Sequence, residues 1–308
     1  MLNILDKLLK YVDNSISSMP TGSRKIALGR SLIAASQISL LIFTDWKSLF
    51  VPVDKNPYGP KCEGISNIGA YCLLFDYTGI EFPSILLIIG LIFVLTGFYP
   101  RYAGFLHLWI TLSISSSIKL PDGGEAVAQI VVAFLAIISL SDRRLNHWNK
   151  DSFENSFFQP ASWAASHVLR IQLVWIYINA SIAKTAVPEW KDGTAVYYIS
   201  LDPMFGTSGP FAFLFDWMAG VPVISLGMTW GAIVIELLIA YFLLGTSKNR
   251  PFSFWLALFL HVSFIFMIGL WSFAIIMIGS VLVATGPNVY IRDIFRPSFR
   301  KLRGGLNA

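Results

Sequence analysis

Apolar residues dominate the chain in long runs that polar residues interrupt only briefly. A membrane-spanning helix needs about 20 mostly apolar residues, and eight stretches approach or reach that length. The last two form one apolar block that is too long for a single span, so we expect a tight hairpin near Gly269. The pattern predicts an all-α bundle of about eight transmembrane helices. The predicted spans are roughly Ile26–Phe43, Ser84–Tyr99, Tyr102–Ile118, Gly124–Ser141, Ala164–Val187, Ser225–Leu244, Phe252–Leu270 and Trp271–Gly286.

The opening segment follows a different pattern, with apolar residues on one helical face and charged residues elsewhere. The residues of the apolar face are Leu2, Leu5, Leu8, Leu9 and Val12. Such a segment is typical of an amphipathic helix that lies on the membrane surface. We therefore divide the chain into an interfacial segment over 1–22, a transmembrane domain over 23–291 and a basic cytoplasmic tail over 292–308.

The basic residues between the predicted spans indicate an orientation, because loops rich in Lys and Arg stay in the cytoplasm. With the N-terminus inside, fifteen basic residues lie on the cytoplasmic side and five outside. An even number of spans then places both termini in the cytoplasm. The inner residues are Lys7, Lys10, Arg24, Lys25, Arg101, Arg143, Arg144, Lys150, Lys248, Arg250, Arg292, Arg296, Arg300, Lys301 and Arg303. The outer residues are Lys47, Lys55, Lys61, Lys119 and Lys191.

Composition supports a membrane protein and excludes several other classes. Of the 308 residues, 55% are hydrophobic and 13% are charged, and the mean hydropathy is +0.63. A soluble domain carries about 25% charged residues, and a disordered chain has low hydrophobicity. The net charge of +5 is dispersed among membrane-flanking segments, so we expect membrane lipid as a partner and no nucleic acid.

The two cysteines, Cys62 and Cys72, lie in the first long outer segment. Outside the cytosol, two thiols this close in sequence can form a disulfide. The alternative is two unpaired cysteines that act as small hydrophobes. Neither these residues nor the four histidines reach the spacing of a metal site, and we expect no metal.

Among the ionisable residues within predicted spans, six stand out, because a charge there costs about 3 kcal/mol or more. Each therefore needs a partner or a function. These residues are Arg30, His107, Arg170, Lys184, Glu236 and His261. A further carboxylate, Glu125, falls in the first turn of the fourth predicted span, where it suits the helix dipole.

The fifth predicted span carries most of the polar residues along one face. Arg170, Val174, Tyr177, Ser181 and Lys184 are spaced by four, three, four and three residues, so they share that face. We expect the face to point into the bundle. Arg170 and Lys184 lie near opposite ends of the span, and each could instead extend to the membrane surface.

The candidate catalytic residues are Lys184, Glu236 and His261, which we predict to face one cavity in the outer half of the bundle. A cation, an acid and an imidazole in a dry pocket would perturb one another, as groups at functional sites often do. We predict that Tyr177, Ser181 and Arg170 bind substrate there. The alternative is a structural ion pair between Glu236 and Arg170, which would leave a pocket without catalytic function.

Four motifs occur in order along the chain. They are DGGE at 122–125, AKTAVPEWKDGTAV at 183–196, ELL at 236–238, and His261 followed by GLWSF at 269–273. Together they resemble the HTTM family of membrane domains, which is related to the vitamin K-dependent gamma-carboxylase. Family members have a small-residue helix that ends in a lysine, followed by a Trp and an acidic-Gly turn. In this chain the turn residues are Trp190 and Asp192, which the resemblance adds to the predicted substrate-binding residues.

Within that family the chain is similar to the sporulation-delaying protein B branch. The resemblance implies a factor in the bacterial plasma membrane that matures a secreted antimicrobial peptide toxin. It implies two partners, the toxin precursor and a small protein of the same operon. Whether the factor is a catalyst stays open.

Two alternatives remain. One is a quinone- or lipid-dependent redox enzyme with Lys184 as a base, for which a quinone is the implied cofactor. The other is a non-catalytic scaffold for precursor and partner. Glutamate carboxylation is disfavoured, because Lys184 is followed by Thr185 where the carboxylase has a second lysine. The chain also ends soon after the last predicted span, so we expect no large extracytoplasmic domain.

Overall fold

The computed structural model describes residues 2–50, 59–60, 62–118, 123–203, 206–207, 211–286 and 289–295. Helices make up the fold, and the described ranges contain no β-strand beyond two isolated bridges. The α-helices are α1 (Leu2–Ser17), α2 (Arg24–Phe43), α3 (Ala70–Thr78), α4 (Glu81–Thr96), α5 (Pro100–Ser117), α6 (Gly124–Ser139), α7 (Gln159–Thr185), α8 (Pro188–Lys191), α9 (Ala195–Ser200), α10 (Ala212–Gly220), α11 (Pro222–Leu244), α12 (Arg250–Ile268), α13 (Trp271–Ala284) and α14 (Ile291–Phe295). Two 3₁₀ turns, Trp46–Leu49 and Gly64–Ile68, precede α3.

Local sequence explains where the long helices begin and end. Proline occupies the first turn of α5, α7, α11 and α12, where its missing N–H costs no helical hydrogen bond. Ser23 precedes α2, and its side chain accepts a hydrogen bond from the Lys25 amide at 3.3 Å. Gly97 ends α4 and Gly269 ends α12 in the left-handed conformation, which glycine adopts without steric cost. Gly269 therefore forms the predicted hairpin turn.

Helix α13 lies at the centre of the bundle. It packs against α2, α6, α7 and α12, and its residues from Ile276 to Ala284 are all buried. Two glycines bring α2 and α13 together: a Cβ at Gly29 would lie 2.9 Å from the Gly279 carbonyl oxygen, and a Cβ at Gly279 would lie equally close to the Gly29 oxygen. Small residues at such crossings let helix backbones approach closely.

A second apolar core lies between α2, α3, α4 and α5. A disulfide joins Cys62 to Cys72, with their Cα atoms 5.6 Å apart, and links the segment before α3 to α3 itself. Tyr71 is buried in this core, and its hydroxyl lies 3.0 Å from the Ser84 hydroxyl. Burial raises the pKa of Tyr71 to about 12, because ionisation would place a charge among apolar side chains.

Each of the eight predicted spans corresponds to a helix in the structure. Among the described residues, three helices are long and apolar enough to cross a membrane, namely α2, α11 and α12. Three shorter apolar helices, α4, α6 and α13, join them in the bundle. The chain is thus an all-helical membrane protein. The count of eight spans and the direction of the termini remain predictions.

The turns between these helices gather at two ends of the bundle. At one end, the segment before α2 bonds to Ser152, and Asn146 bonds to the Thr96 carbonyl. The start of α2 also bonds to residues 285–286 at the end of α13. These are the turns that the basic residues predict to be cytoplasmic. We name this the basic end, and the opposite end contains α8, α9 and α10.

The predicted amphipathic segment is helical as α1. Its C-terminal part attaches to the start of α7: the Trp163 indole donates to the Ser15 hydroxyl at 2.9 Å, and the Gln159 amide donates to the Ile16 and Met19 carbonyls at 3.0 Å. Most of the predicted basic tail, residues 296–308, lies outside the described residues.

Candidate functional site

An ion pair between α7 and α11 forms the polar part of the site. Lys184 Nζ lies 2.7 Å from Oε1 and 2.9 Å from Oε2 of Glu236, and the Ser181 hydroxyl donates to Oε2 at 3.1 Å. Glu236 is only 6% exposed, so these three bonds compensate a carboxylate that water reaches poorly. The Lys184 ammonium also lies 5.3 Å from the centre of the Trp190 ring, a favourable cation–π distance.

A second polar pair lies about two turns before Lys184 on α7. The Tyr177 hydroxyl is 2.9 Å from Nε2 of His261 on α12, and both side chains are buried. The rings of Phe264 and Phe273 form T-shaped contacts with the imidazole, with ring centroids 5.5 and 5.4 Å away. Nδ1 of His261 has no hydrogen-bond partner among the described residues. Together with the ion pair, these residues form what we call the cavity cluster, consisting of Tyr177, Ser181, Lys184, Glu236 and His261.

The cavity cluster borders a cavity of about 740 Å³ between α7, α11 and α12. Apolar side chains form most of its wall, and α9 and α10 contribute to it at the end opposite the basic end. Its volume lies within the range of known small-molecule sites, which are mostly apolar with a few placed polar groups. The wall includes Ile176, Val196, Phe215, Ile224, Met228, Ile235, Phe259, Phe264, Met267 and Phe273.

The structure brings together most of the predicted site. Lys184, Glu236 and His261 all line the cavity, as do Tyr177 and Trp190. Ser181 does not reach the lining but bonds to Glu236.

Two predicted substrate-binding residues lie elsewhere. Asp192 is exposed and does not line the cavity. Arg170 lies four turns before Lys184 on α7, about 21 Å along the axis, and its Nε donates to the Ala284 carbonyl at 3.2 Å. Glu236 therefore pairs with Lys184, and the alternative pairing of Glu236 with Arg170 does not occur.

The sequence analysis missed two residues that keep the cavity open. Gly227 and Gly231 on α11 line it, and a Cβ at either position would meet no atom within 4 Å. Their spacing of four places them on one face of α11. Their GxxxG spacing would have predicted close packing against another helix, so the sequence carries no signal for this wall.

Gln37 and Thr111, which the sequence did not single out, join His107 and Glu125 in a second buried polar group, here called the packed cluster. The Gln37 amide donates to Glu125 Oε2 at 2.9 Å, and its oxygen lies 3.2 Å from His107 Nε2. The Thr111 hydroxyl donates to the same Gln37 oxygen at 3.3 Å. Glu125 thus lies in a polar network between α2, α5 and α6 as well as in the first turn of a helix.

The chemistry available at the cavity follows from its residues. The Tyr177–His261 pair can exchange a proton, and Lys184 has N–H capacity beyond its two bonds to Glu236. The apolar wall favours a ligand that is mainly apolar with one polar part. Within the described ranges, no three His, Cys, Asp or Glu side chains lie close enough together to hold a metal ion.

Apolar helices that enclose a cavity bordered by an ion pair define the class, a helical membrane protein with an internal cavity. Comparison with known proteins narrows this class. No protein-family profile matches the chain, and no solved structure matches it. An uncharacterized protein, YitO, of Bacillus subtilis (strain 168) is 30% identical over 263 residues, which is 84% of each chain.

Sporulation-delaying protein SdpB of the same bacterium is 29% identical over 284 residues, covering 91% of this chain and 87% of SdpB. The chain belongs to the protein family of YitO, and the likeness to SdpB supports its sporulation-delaying branch. The HTTM resemblance remains an interpretation of the motifs.

Proposed function

We propose that this protein is an integral membrane factor required for the maturation of a secreted antimicrobial peptide of the sporulation-delaying type. Similarity to SdpB over 91% of the chain supports the biological role. The observation that carries the proposal for a site is the buried Lys184–Glu236 pair at the edge of a largely apolar cavity. Burying an ion pair among apolar side chains costs desolvation energy, so we expect a protein to keep such a pair for structure or for function.

In this proposal the bundle crosses the plasma membrane eight times, and both termini lie in the cytoplasm. The cavity opens toward the outside of the cell. The apolar wall holds an apolar segment of the exported toxin precursor. Lys184 donates a hydrogen bond to a precursor carbonyl, and the Tyr177–His261 pair moves a proton during the step that matures the peptide. The small partner protein of the same operon holds the rest of the precursor.

A second candidate is a quinone-dependent redox enzyme, for which Lys184 would be the base. The observation that favours it is the same cavity, because about 740 Å³ of mainly apolar space with one polar edge suits a quinone ring and its apolar tail. Extraction of the purified protein with organic solvent, followed by chromatography, would reveal a bound quinone and favour this candidate.

The test is mass spectrometry of the secreted peptide from producing cells. The informative variant is Lys184→Gln/Glu236→Gln, which removes both charges together and avoids a single unpaired charge. His261→Gln tests the proton-transfer pair. The matched control is Glu189→Gln/Lys191→Gln, which neutralises two exposed side chains outside the cavity.

We expect mature peptide with wild type and with the control, and only precursor with either cavity variant, at equal membrane levels of protein. Normal peptide maturation by both cavity variants would contradict the assignment of the cavity cluster as the functional site. It would favour the alternative of a non-catalytic scaffold. Normal maturation in cells that lack the protein would contradict the proposed function itself.

A further inference from the structure

Three basic side chains converge on the last turn of α13 at the basic end. Lys25 Nζ donates to the Thr285 hydroxyl at 2.9 Å and to the Gly286 carbonyl. Arg170 Nε donates to the Ala284 carbonyl at 3.2 Å. Arg250 Nη1 lies 3.5 Å from the Thr285 carbonyl. We name Lys25, Arg170 and Arg250 the cation cluster.

The two guanidinium groups meet above one glycine. A Cβ at Gly286 would lie 2.2 Å from Nη2 of Arg170 and 3.1 Å from Nη1 of Arg250. Gly286 has a φ of 92°, a backbone conformation that side chains disfavour. The chain thus leaves room where two arginine forks come together.

The positive charge of this cluster exceeds the negative charge that the protein supplies to it. No carboxylate among the described residues lies within 4.0 Å of Lys25, Arg170 or Arg250. The C-terminus of α13 offers about half a negative charge, which is less than the charge of the two guanidinium groups alone. Asp151 and Asp293 act on Lys25 only at longer range, because Asp151 accepts from the Arg24 amide and Asp293 lies 3.6 Å from Arg292.

Burial makes this excess expensive. Lys25 is 1% exposed and Arg170 is 7% exposed, and a buried charge costs several kcal/mol unless it is compensated. Nη2 of Arg170 has no hydrogen-bond partner among the described residues. Arg250 is partly exposed, so a ligand can reach the cluster from its side.

We propose that the cation cluster binds a phosphate group, supplied by an anionic lipid headgroup or by free phosphate. Guanidinium forks match the geometry of phosphate oxygens and bind two at once, and a lysine ammonium adds a point charge. Basic pockets between helices on the cytoplasmic side bind lipid headgroups in this way. The site is independent of the proposed peptide maturation, because it lies at the opposite end of α7 from the cavity cluster.

The experiment uses the full chain in nanodiscs of neutral phosphatidylcholine. One arm adds phosphatidylglycerol to the lipid, and a second adds inorganic phosphate to the buffer. Native mass spectrometry counts retained phosphatidylglycerol, and thermal unfolding gives the shift in Tm. Arg250→Gln removes one fork from the cluster. Lys248→Gln is the matched control, since it removes the same charge from an exposed residue two positions away.

We expect phosphatidylglycerol to raise the Tm of wild type by several degrees and Arg250→Gln to weaken its binding about tenfold or more, the loss of one charged hydrogen bond. Lys248→Gln should bind like wild type. A Tm increase with both reagents identifies a general phosphate site, and an increase with phosphatidylglycerol alone identifies a lipid headgroup site.

An unchanged Tm with both phosphatidylglycerol and inorganic phosphate, relative to phosphatidylcholine alone, would overturn the proposal, as would equal losses of binding in the two variants. If Arg250→Gln does not fold, Arg250→Lys keeps the charge without the fork. Unchanged binding by that folded variant would likewise overturn recognition by the guanidinium.

Discussion

The cavity cluster and the packed cluster contain similar side chains in different settings. Each has a buried histidine, a buried glutamate and at least one hydroxyl group that bonds to a neighbouring helix. The glutamate of the cavity cluster pairs with a lysine and lines a cavity of about 740 Å³. The glutamate of the packed cluster accepts from a glutamine amide and does not line this cavity. Burial of an ionisable residue therefore does not identify a functional site by itself. The adjacent space distinguishes the two settings.

The two histidines show the same difference. His107 is fully buried and contacts the Gln37 amide oxygen, which also accepts from Thr111. His261 contacts a tyrosine hydroxyl and lines the cavity. We therefore expect changes in the packed cluster to lower stability, and changes in the cavity cluster to lower peptide maturation first.

The largest expected effect comes from a matched pair of glycine substitutions. Gly104→Leu places a side chain where Ala136 and Ser139 already lie 3.3 Å from the Cβ position, and we expect a loss of about 3 kcal/mol in folding free energy. Gly231→Leu extends into the cavity, so folding should change by about 0.5 kcal/mol or less while maturation stops. Tm and peptide mass spectra measure the two effects. Similar decreases of Tm in both variants would contradict the distinction between a tightly packed helix contact at Gly104 and an open cavity at Gly231.

A second pair removes one hydrogen-bonding side chain from each cluster. Gln37→Leu deprives Glu125, His107 and Thr111 of a shared partner, and we expect a loss of about 2–3 kcal/mol. Tyr177→Phe removes only the hydroxyl opposite His261 and should cost about 1 kcal/mol. Thermal unfolding in detergent gives the ranking. A larger loss for Tyr177→Phe would show that the cavity cluster also dominates stability.

Removal of the disulfide tests whether the second apolar core can lose stability without an effect on the function of the cavity. Cys62→Ala, Cys72→Ala and the double variant should each lose about 2 kcal/mol, because either substitution breaks the same bond. Non-reducing peptide mapping and Tm check the bond and its effect. Peptide maturation at 25 °C should stay unchanged. Additive losses from the two single variants would show that the cysteines contribute separately.

The smallest expected effect concerns pH. His147, in the turn before α7, is buried, and burial followed by the charges of Arg30 and Arg144 lowers its pKa to about 3. Because the unfolded histidine titrates near pH 6.5, its contribution to stability is present above that pH and is lost as the pH falls toward 3. We expect wild type to lose about 1 kcal/mol between pH 7.5 and 5.5 relative to His147→Gln. Parallel Tm curves for the two proteins would contradict this.

The sequence predicts which residues share a face of one helix, but it does not predict which residues of two different helices meet. The face of α7 followed from helical spacing, because residues three and four apart must share a side. The partner of Glu236 did not, because it depends on the depth and rotation of α11 against α7. Arg170 and Lys184 share the face, but the structure separates them by four turns and only Lys184 reaches Glu236.

The helices themselves followed from apolar length and from proline and glycine at their ends, as at Pro100 and Gly269. The packed cluster was not predicted, because Gln37 is uncharged and its spacing does not distinguish it from other polar residues of α2. Its importance depends on the contacts it makes with α5 and α6, and one sequence carries no record of those contacts.

The central position of α13 has a consequence for biosynthesis. Of the eight helices that match the predicted spans, α2 is the first to leave the ribosome, and α13, its most extensive packing partner, is the last. At about 5–20 residues per second, synthesis reaches α13 roughly 10–50 s after α2. During that interval Lys25 and Ser36 of α2 lack the Thr285, Gly286 and Ser272 groups that they bond in the finished bundle. The face that carries them, together with Gly29, needs a temporary companion in the bilayer, such as an insertase. A nascent chain that stops before α13 would expose this face and become a target for membrane quality control.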